Sequence, residues 1–263
     1  PRTLLVIDAS DDPQHEHNRE TIRDVGDGSW SHDRYDDVPS LARQRNYALD
    51  QLPETVDIVH FIDDDVTVDP AYFDALSNVF SNHPDVVGAG GTISEPENHP
   101  SSPLRETVRR LFLLSHTEPG RVLASGSTTH AQHCIPDEQT GLRETEWLSG
   151  CSCSYRRAVL DATRFDERLV GYSMLEDLDL SYRISRDAPL VVQPRAQLFH
   201  RRSSLNRPDV EQYSRALTVH RRWFVEKHFD SVRSRGAYWW SVLGRLLAVS
   251  LARRPHRTAA LRG

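Results

Sequence analysis

The chain has 263 residues, 38% of them apolar and 27% charged, which excludes a disordered tail or a fibre and fits one large domain with room for an appendage. Thirty-two basic residues against thirty-eight acidic ones leave a net charge of −6, so no overall basic field points to nucleic acid. No apolar run reaches the roughly twenty residues of a membrane span, no secretory signal pattern opens the sequence, and three cysteines are too few for a disulfide scaffold, so the expected setting is the reducing cytoplasm.

Residues 3–8 read as a buried parallel strand that runs into the polar stretch Asp8-Ala9-Ser10-Asp11-Asp12. Residues 11–38 are polar and turn-rich and read as a loop. Residues 39–52 carry Leu41, Ala42, Tyr47, Ala48 and Leu52 at helical spacing. Residues 56–62 form a second buried strand, which ends at Asp63-Asp64-Asp65, and residues 70–80 a helix with Pro70 in its first turn. A third strand covers 86–93. Residues 94–145 yield one helix, at 104–115, and otherwise carry no readable pattern. Residues 147–155 read as a strand, 156–162 as a short helix and 175–186 as a longer one. Strands at 190–192 and 197–200 precede helices at 209–228 and 237–252. The alternation predicts an α/β fold, a Rossmann-like and mostly parallel sheet flanked by helices, with helices closing the C-terminal part. Ligands of such sheets sit at the carboxyl ends of strands, where Asp8 and the three aspartates lie.

Three consecutive carboxylates repel one another, and a strand end has no structural need of them. A divalent cation of the Mg²⁺ or Mn²⁺ class relieves that repulsion; a solvated acidic turn is the plainer alternative. In Leu175-Glu176-Asp177-Leu178-Asp179-Leu180-Ser181-Tyr182-Arg183, Leu175, Leu178 and Tyr182 face a core. Glu176 and Asp177 then fall in the first turn, where the helix dipole favours anions, and Asp179 can pair with Arg183. An ordinary capped helix has the same appearance, but an anionic Asp177 beside a metal–phosphate site would serve as a general base. Arg45 and Asn46 suit contacts to a nucleobase or phosphate, or a solvated face. His200, followed by Arg201 and Arg202, suits a metal or a diphosphate. The Cys151-Ser152-Cys153 spacing, with His133 and Cys134, is not a standard zinc pattern.

In series, these segments resemble the family 2 glycosyltransferases of the GT-A fold, over about residues 3–230. The segments are Val6-Ile7-Asp8-Ala9-Ser10-Asp11-Asp12, Arg45-Asn46, Phe61-Ile62-Asp63-Asp64-Asp65-Val66 as a DxD motif, Trp147-Leu148-Ser149-Gly150, Phe165-Asp166-Glu167, Glu176–Arg183 and His200. The resemblance implies an inverting, metal-dependent transfer of a hexosyl or deoxyhexosyl unit from a nucleotide-sugar to a hydroxyl of a carbohydrate or lipid-linked acceptor. It implies Asp177 as base with Glu176 supporting it. Asp8, Arg45, Asn46, Asp63 and Asp64 would hold the nucleotide. Asp65, Asp63 and His200 would hold Mn²⁺ or Mg²⁺, and Trp147 and Gly150 would line the acceptor side. The family's first strand has no counterpart in the sequence. Two alternatives stand beside this reading: a nucleotide-sugar or carbohydrate-binding module without turnover, and a haloacid-dehalogenase-type phosphatase built on Asp63-x-Asp65-x-Thr67.

Residues 231–263 form a basic appendage to the 1–230 domain. They hold seven arginines and no acid, so the remainder carries −13. Ser241, Arg245, Ala248 and Ala252 form a narrow helical face, and Trp239, Trp240, Leu243, Leu246, Leu247 and Leu251 cover most of the rest. Such a segment, over 237–262, lies in an anionic membrane surface, at the inner face of the cell membrane, or docks on protein.

Overall fold

A computed structural model describes residues 3–25, 30–38, 40–95, 102–133, 141–170, 173–201 and 210–251. In chain order the elements are β1 (Leu4–Asp8), α1 (Asp12–Val25), β2 (Trp30–Arg34), α2 (Leu41–Gln51), β3 (Ile58–Phe61), β4 (Val66–Val68), α3 (Tyr72–Asn82) and β5 (Gly88–Ser94). Then come α4 (Pro103–Leu111), β6 (Arg143–Thr145), β7 (Cys153–Arg156), α5 (Arg157–Ala162), α6 (Glu176–Ser185), β8 (Leu190–His200), α7 (Val210–His228) and α8 (Val232–Leu251).

The α/β expectation stands, but the sheet is mixed rather than mostly parallel. Its order is β3-β7-β5-β8-β4, with β6 also on β8; only β5–β8 is parallel within it, and β1–β2 form a separate parallel pair. Hydrophobic runs give strand positions and say nothing of direction. The stretch 147–155 is not one strand: a 3₁₀ turn over Gly150–Ser152 precedes β7. Residues 190–192 and 197–200 belong to one strand. Gly91 pairs with Gln193 and Thr92 with Gln197, so residues 194–196, which include Pro194, bulge out of register.

Residues 11–38 contain α1 and β2 instead of a continuous loop. The Asp11 carboxylate accepts from the Gln14 N–H at 3.2 Å, an N-terminal cap, while the helix itself is almost entirely polar and carries little apolar periodicity.

Period-two alternation in β8 divides the core. Leu190 and Val192 pack with Leu49, Phe61, Tyr155 and Leu180; Val191 and Leu198 pack on the other side with Tyr72, Leu76 and Ile93. The only lysine in the sequence, Lys227 of α7, contacts Asp179 at 2.6 Å and Asp166 at 2.7 Å, and His228 contacts Asp179 at 2.7 Å. Asp179 is fully buried and also pairs with Arg183 at 2.9 Å, so this cluster clamps α7 to α6.

Candidate active site

The three aspartates lie in the turn between β3 and β4. Because β4 pairs antiparallel with the end of β8, Val66 stands opposite His200, and the Arg201 N–H donates to the Asp65 carbonyl at 2.9 Å. His200 Nε2 is then 3.1 Å from Asp65 Oδ1. Asp63, Asp65 and His200 offer donor atoms that lie within 4.8 Å of one another. Two carboxylates and an imidazole form an oxygen-rich donor set of the kind that holds a divalent cation such as Mn²⁺, so these residues fit one.

Glu95, just past β5, is a residue that sequence reasoning missed. β5 runs parallel to β8 with Ser94 opposite Phe199, which brings Glu95 Oε1 to 3.3 Å from His200 Nδ1. A carboxylate behind the second ring nitrogen fixes which nitrogen faces the ligand side. A lone glutamate after a strand carries no motif; only the pairing of β5 with β8 reveals it.

Arg45 is the buried hub of the site. Its guanidinium contacts Glu176 at 3.0 Å, Asp63 at 3.4 Å and the Gly150 carbonyl at 3.2 Å, and lies over the rings of Phe61 and Phe165. Asn46 is equally committed: its amide donates to the Phe165 carbonyl and to Glu167, and its oxygen accepts from the Phe165 N–H. Both residues, expected at the nucleotide, make these contacts within the protein. A Cβ on Gly150 would meet the Arg45 guanidinium at 2.7 Å, which explains the glycine there.

The Gly150 N–H donates to Asp177 Oδ2 at 2.8 Å, and the Leu178 N–H to Oδ1 at 2.7 Å. The carboxylate therefore sits in the positive end of α6, held as an acceptor. Just before it, Ser173 and Leu175 have φ of 44° and 72°, left-handed values that cost non-glycine residues energy and set the angle at which α6 begins. Ser173 is buried and hydrogen-bonds Ser40 at the start of α2. Trp147 is largely buried against Leu178, Tyr182 and Phe224, its indole donating to the Thr129 carbonyl at 2.9 Å.

Negative charge dominates the centre. Burial raises Asp63, and Asp65 and Asp177 add to the rise while Arg45 opposes it. Burial, then Asp65, Asp63 and Asp8, raises Asp64. Burial and the adjacent Asp177 push Glu176 up to about 8, against the pull of Arg45. Asp8 behaves oppositely: burial works against its anion, but hydrogen bonds from Ser10 and Asn18 hold it well below the usual carboxylate range. Its Oδ2 also lies 3.0 Å from His32 and 3.3 Å from His15. These three could hold an ion among themselves, but Asn18 and Ser10 already fix the carboxylate as an acceptor. Cys151 and Cys153 are buried free thiols, pushed up by burial. Cys134, residues 202–209 and residues 252–262 of the basic tail lie outside the described residues.

The sequence matches no protein-family model and no curated protein. Solved structures match the fold. GalNAc-T7, crystallised with UDP, GalNAc and Mn²⁺, is 13% identical over 82% of this chain and 41% of its own, with a TM-score of 0.56. The mannosyltransferase PcManGT from Pyrobaculum calidifontis, in complex with GDP-Man and Mn²⁺, is 13% identical over 99% of this chain and 70% of its own, with a TM-score of 0.51. The 1–349 portion of S. aureus TarS is 14% identical over 95% of this chain and 63% of its own, with a TM-score of 0.50. The chain thus spans less than two thirds of GalNAc-T7 and of that TarS portion, and its architecture is the GT-A glycosyltransferase fold.

Proposed function

We propose that the chain transfers a hexosyl or deoxyhexosyl unit from a nucleoside-diphosphate donor to an acceptor hydroxyl, with inversion and with Asp177 as general base. One observation carries this reading. Arg45 and Gly150 join Asp63 to Asp177, so a candidate cation site and a candidate base share one floor. Two of the neighbours in fold hold a nucleotide or nucleotide-sugar together with Mn²⁺, which supports that chemistry here.

In this reading Asp8, oriented by Ser10 and Asn18, accepts from the nucleobase, and Asp64 and Asp63 face the ribose and phosphates. Asp63, Asp65 and His200 would hold the divalent cation, which when bound neutralises charge on the departing diphosphate. Arg45 and Glu176 position Asp63 and the start of α6, and Asn46 keeps the 165–167 loop in place. Asp177 takes the proton from the acceptor hydroxyl as its oxygen attacks the anomeric carbon from the face opposite the leaving group. Gly150 and Trp147 shape the acceptor side around a carbohydrate or lipid-linked substrate. Lys227, spent on Asp179 and Asp166, is not available to a phosphatase-type phosphate site.

The test is a panel of UDP-, GDP- and dTDP-sugars with Mn²⁺. Nucleoside diphosphate release coupled to a new glycosidic bond of inverted configuration is expected, and in Asp65→Ala the Mn²⁺-dependent part of nucleotide affinity disappears in calorimetry. Affinity that does not respond to Mn²⁺ in either protein, or release of inorganic phosphate alone, would sink the reading. Glu95→Gln is expected to weaken Mn²⁺ binding by about 10–100-fold, because His200 loses the carboxylate behind it. An unchanged Mn²⁺ titration would take Glu95 out of that role.

A further inference from the structure

α8 packs on the body through Ser234, Tyr238, Ser241 and Gly244 and leaves its broad apolar face in solvent. Tyr238 and Ser241 are buried, the Tyr238 hydroxyl donates to the Thr218 carbonyl of α7 at 3.0 Å, and a Cβ on Gly244 would run into the Phe112 ring. On the outside, Trp239 is 57%, Leu243 44% and Leu246 60% exposed. One side of α8 thus docks on the chain's own body while the other side stays exposed.

α4 extends the same surface. The Trp240 indole stacks on Phe112, with ring centroids 4.9 Å apart, and donates to the Leu111 carbonyl at 2.8 Å. Leu104, Val108 and Leu111 are all exposed at i, i+4, i+7 spacing, and no residue of α4 is buried. Among the described residues nothing apolar covers this amphipathic helix, which marks it as an interaction surface.

The charge beside the face selects the partner. α4 carries Arg105, Arg109 and Arg110 against Glu106, and α8 carries Arg233, Arg235 and Arg245 with no acid. Behind them Arg221 is only 2% exposed, its guanidinium over Tyr238 at 5.1 Å, Nη1 donating to Ser127 at 3.2 Å and Nε without a partner. Burial and the like charge of Arg245 hold it down to about 10. Among the described residues neither Arg221 nor Arg245 is ion-paired to a carboxylate. Arg221 and Arg245 lie toward the body and leave positive charge uncompensated there, whereas Arg105, Arg109, Arg110, Arg233 and Arg235 are exposed, where phosphate oxygens can meet them. A second copy docked face to face would set arginine against arginine. No helix among the described residues is long and apolar enough to cross a membrane, so the fit is to a surface that is lain upon.

We propose that α4 and α8 together dock the protein on an anionic phospholipid bilayer, with leucines and tryptophans at the acyl boundary and arginines at lipid phosphates. The proposal stands on this surface and does not depend on the transfer reaction. It is tested by co-sedimentation of the full chain with vesicles of phosphatidylcholine plus phosphatidylglycerol, or of phosphatidylcholine alone. Binding to the anionic vesicles is expected to be stronger by about tenfold or more, and weakened at least as much by Leu104→Glu/Leu111→Glu and by Leu243→Glu/Leu246→Glu. Tryptophan fluorescence of the unmodified chain, quenched by brominated lipid, gives a readout that needs no variant. Absence of vesicle binding, or binding that neither double variant weakens, overturns the proposal. So does a dimer seen by light scattering, lost in both double variants and formed without lipid affinity, which would give the face to a second copy.

Discussion

Replacing Asp177 by asparagine is expected to lower sugar transfer by about 10²–10⁴-fold, the usual worth of a general base, while nucleotide affinity stays close to wild type. The amide keeps the shape of the carboxylate, and its oxygen can still accept from the Gly150 N–H that holds Oδ2 at 2.8 Å, while the NH₂ group gives up the bond from the Leu178 N–H to Oδ1. It cannot take up a proton. The residues proposed for the donor, Asp8 and Asp63 to Asp65, belong to other segments and keep their own partners. Initial rates and calorimetry on the same preparation separate the two effects. Near-normal turnover removes Asp177 from the base role. A parallel loss of nucleotide affinity would instead make it part of donor binding.

Arg45→Ala is expected to cost about 3–5 kcal/mol of stability, the loss seen when one partner of a buried ion pair is removed. The guanidinium is 7% exposed and, among the described residues, is the one arginine or lysine that pairs with buried Glu176 and with the partly exposed Asp63. Without it Glu176 and Asp63 face Asp177 without a compensating guanidinium, and the Gly150 carbonyl keeps only the weak Cys153 thiol donor at 3.8 Å. At about 2–4 °C per kcal/mol for a chain of this size, the thermal midpoint falls by roughly 10 °C. Arg45→Lys restores the charge but not the fork that reaches three acceptors, so it recovers only part of the loss. A change below about 1 kcal/mol in urea unfolding would show that the carboxylates find water or protons instead.

The acidic ends of the candidate site are visible in the sequence because clustered carboxylates stand out from the apolar pattern around them. Asp63-Asp64-Asp65 and Glu176-Asp177 are runs with no packing rationale, placed after a strand and before a helix. The helices α2, α3, α6 and α7 were legible for the opposite reason: each repeats apolar residues toward a core. What stayed hidden had neither signal. α1 is held largely by polar contacts, His15 and Asn18 meeting Asp8, so it lacks an apolar stripe. β4 and β6 are three residues each, too short for a period of two to register. Arg45 and Asn46 are residue types that suggest a ligand; only tertiary structure shows that their hydrogen bonds are spent on the protein. The exposed face of α4 was hidden in a stretch whose helix could be seen but whose neighbours could not.

Lys227 gives the molecule an experimental handle. It is the single side-chain amine in the sequence, and its half-buried Nζ sits between Asp179 of α6 and Asp166 of the preceding loop. An amine-selective acylating reagent therefore has one side-chain target, and its two ion pairs slow the labelling while α7 stays on α6. The rate of that one modification, followed by intact mass, is a clock for the opening of the very helix that begins with Glu176 and Asp177.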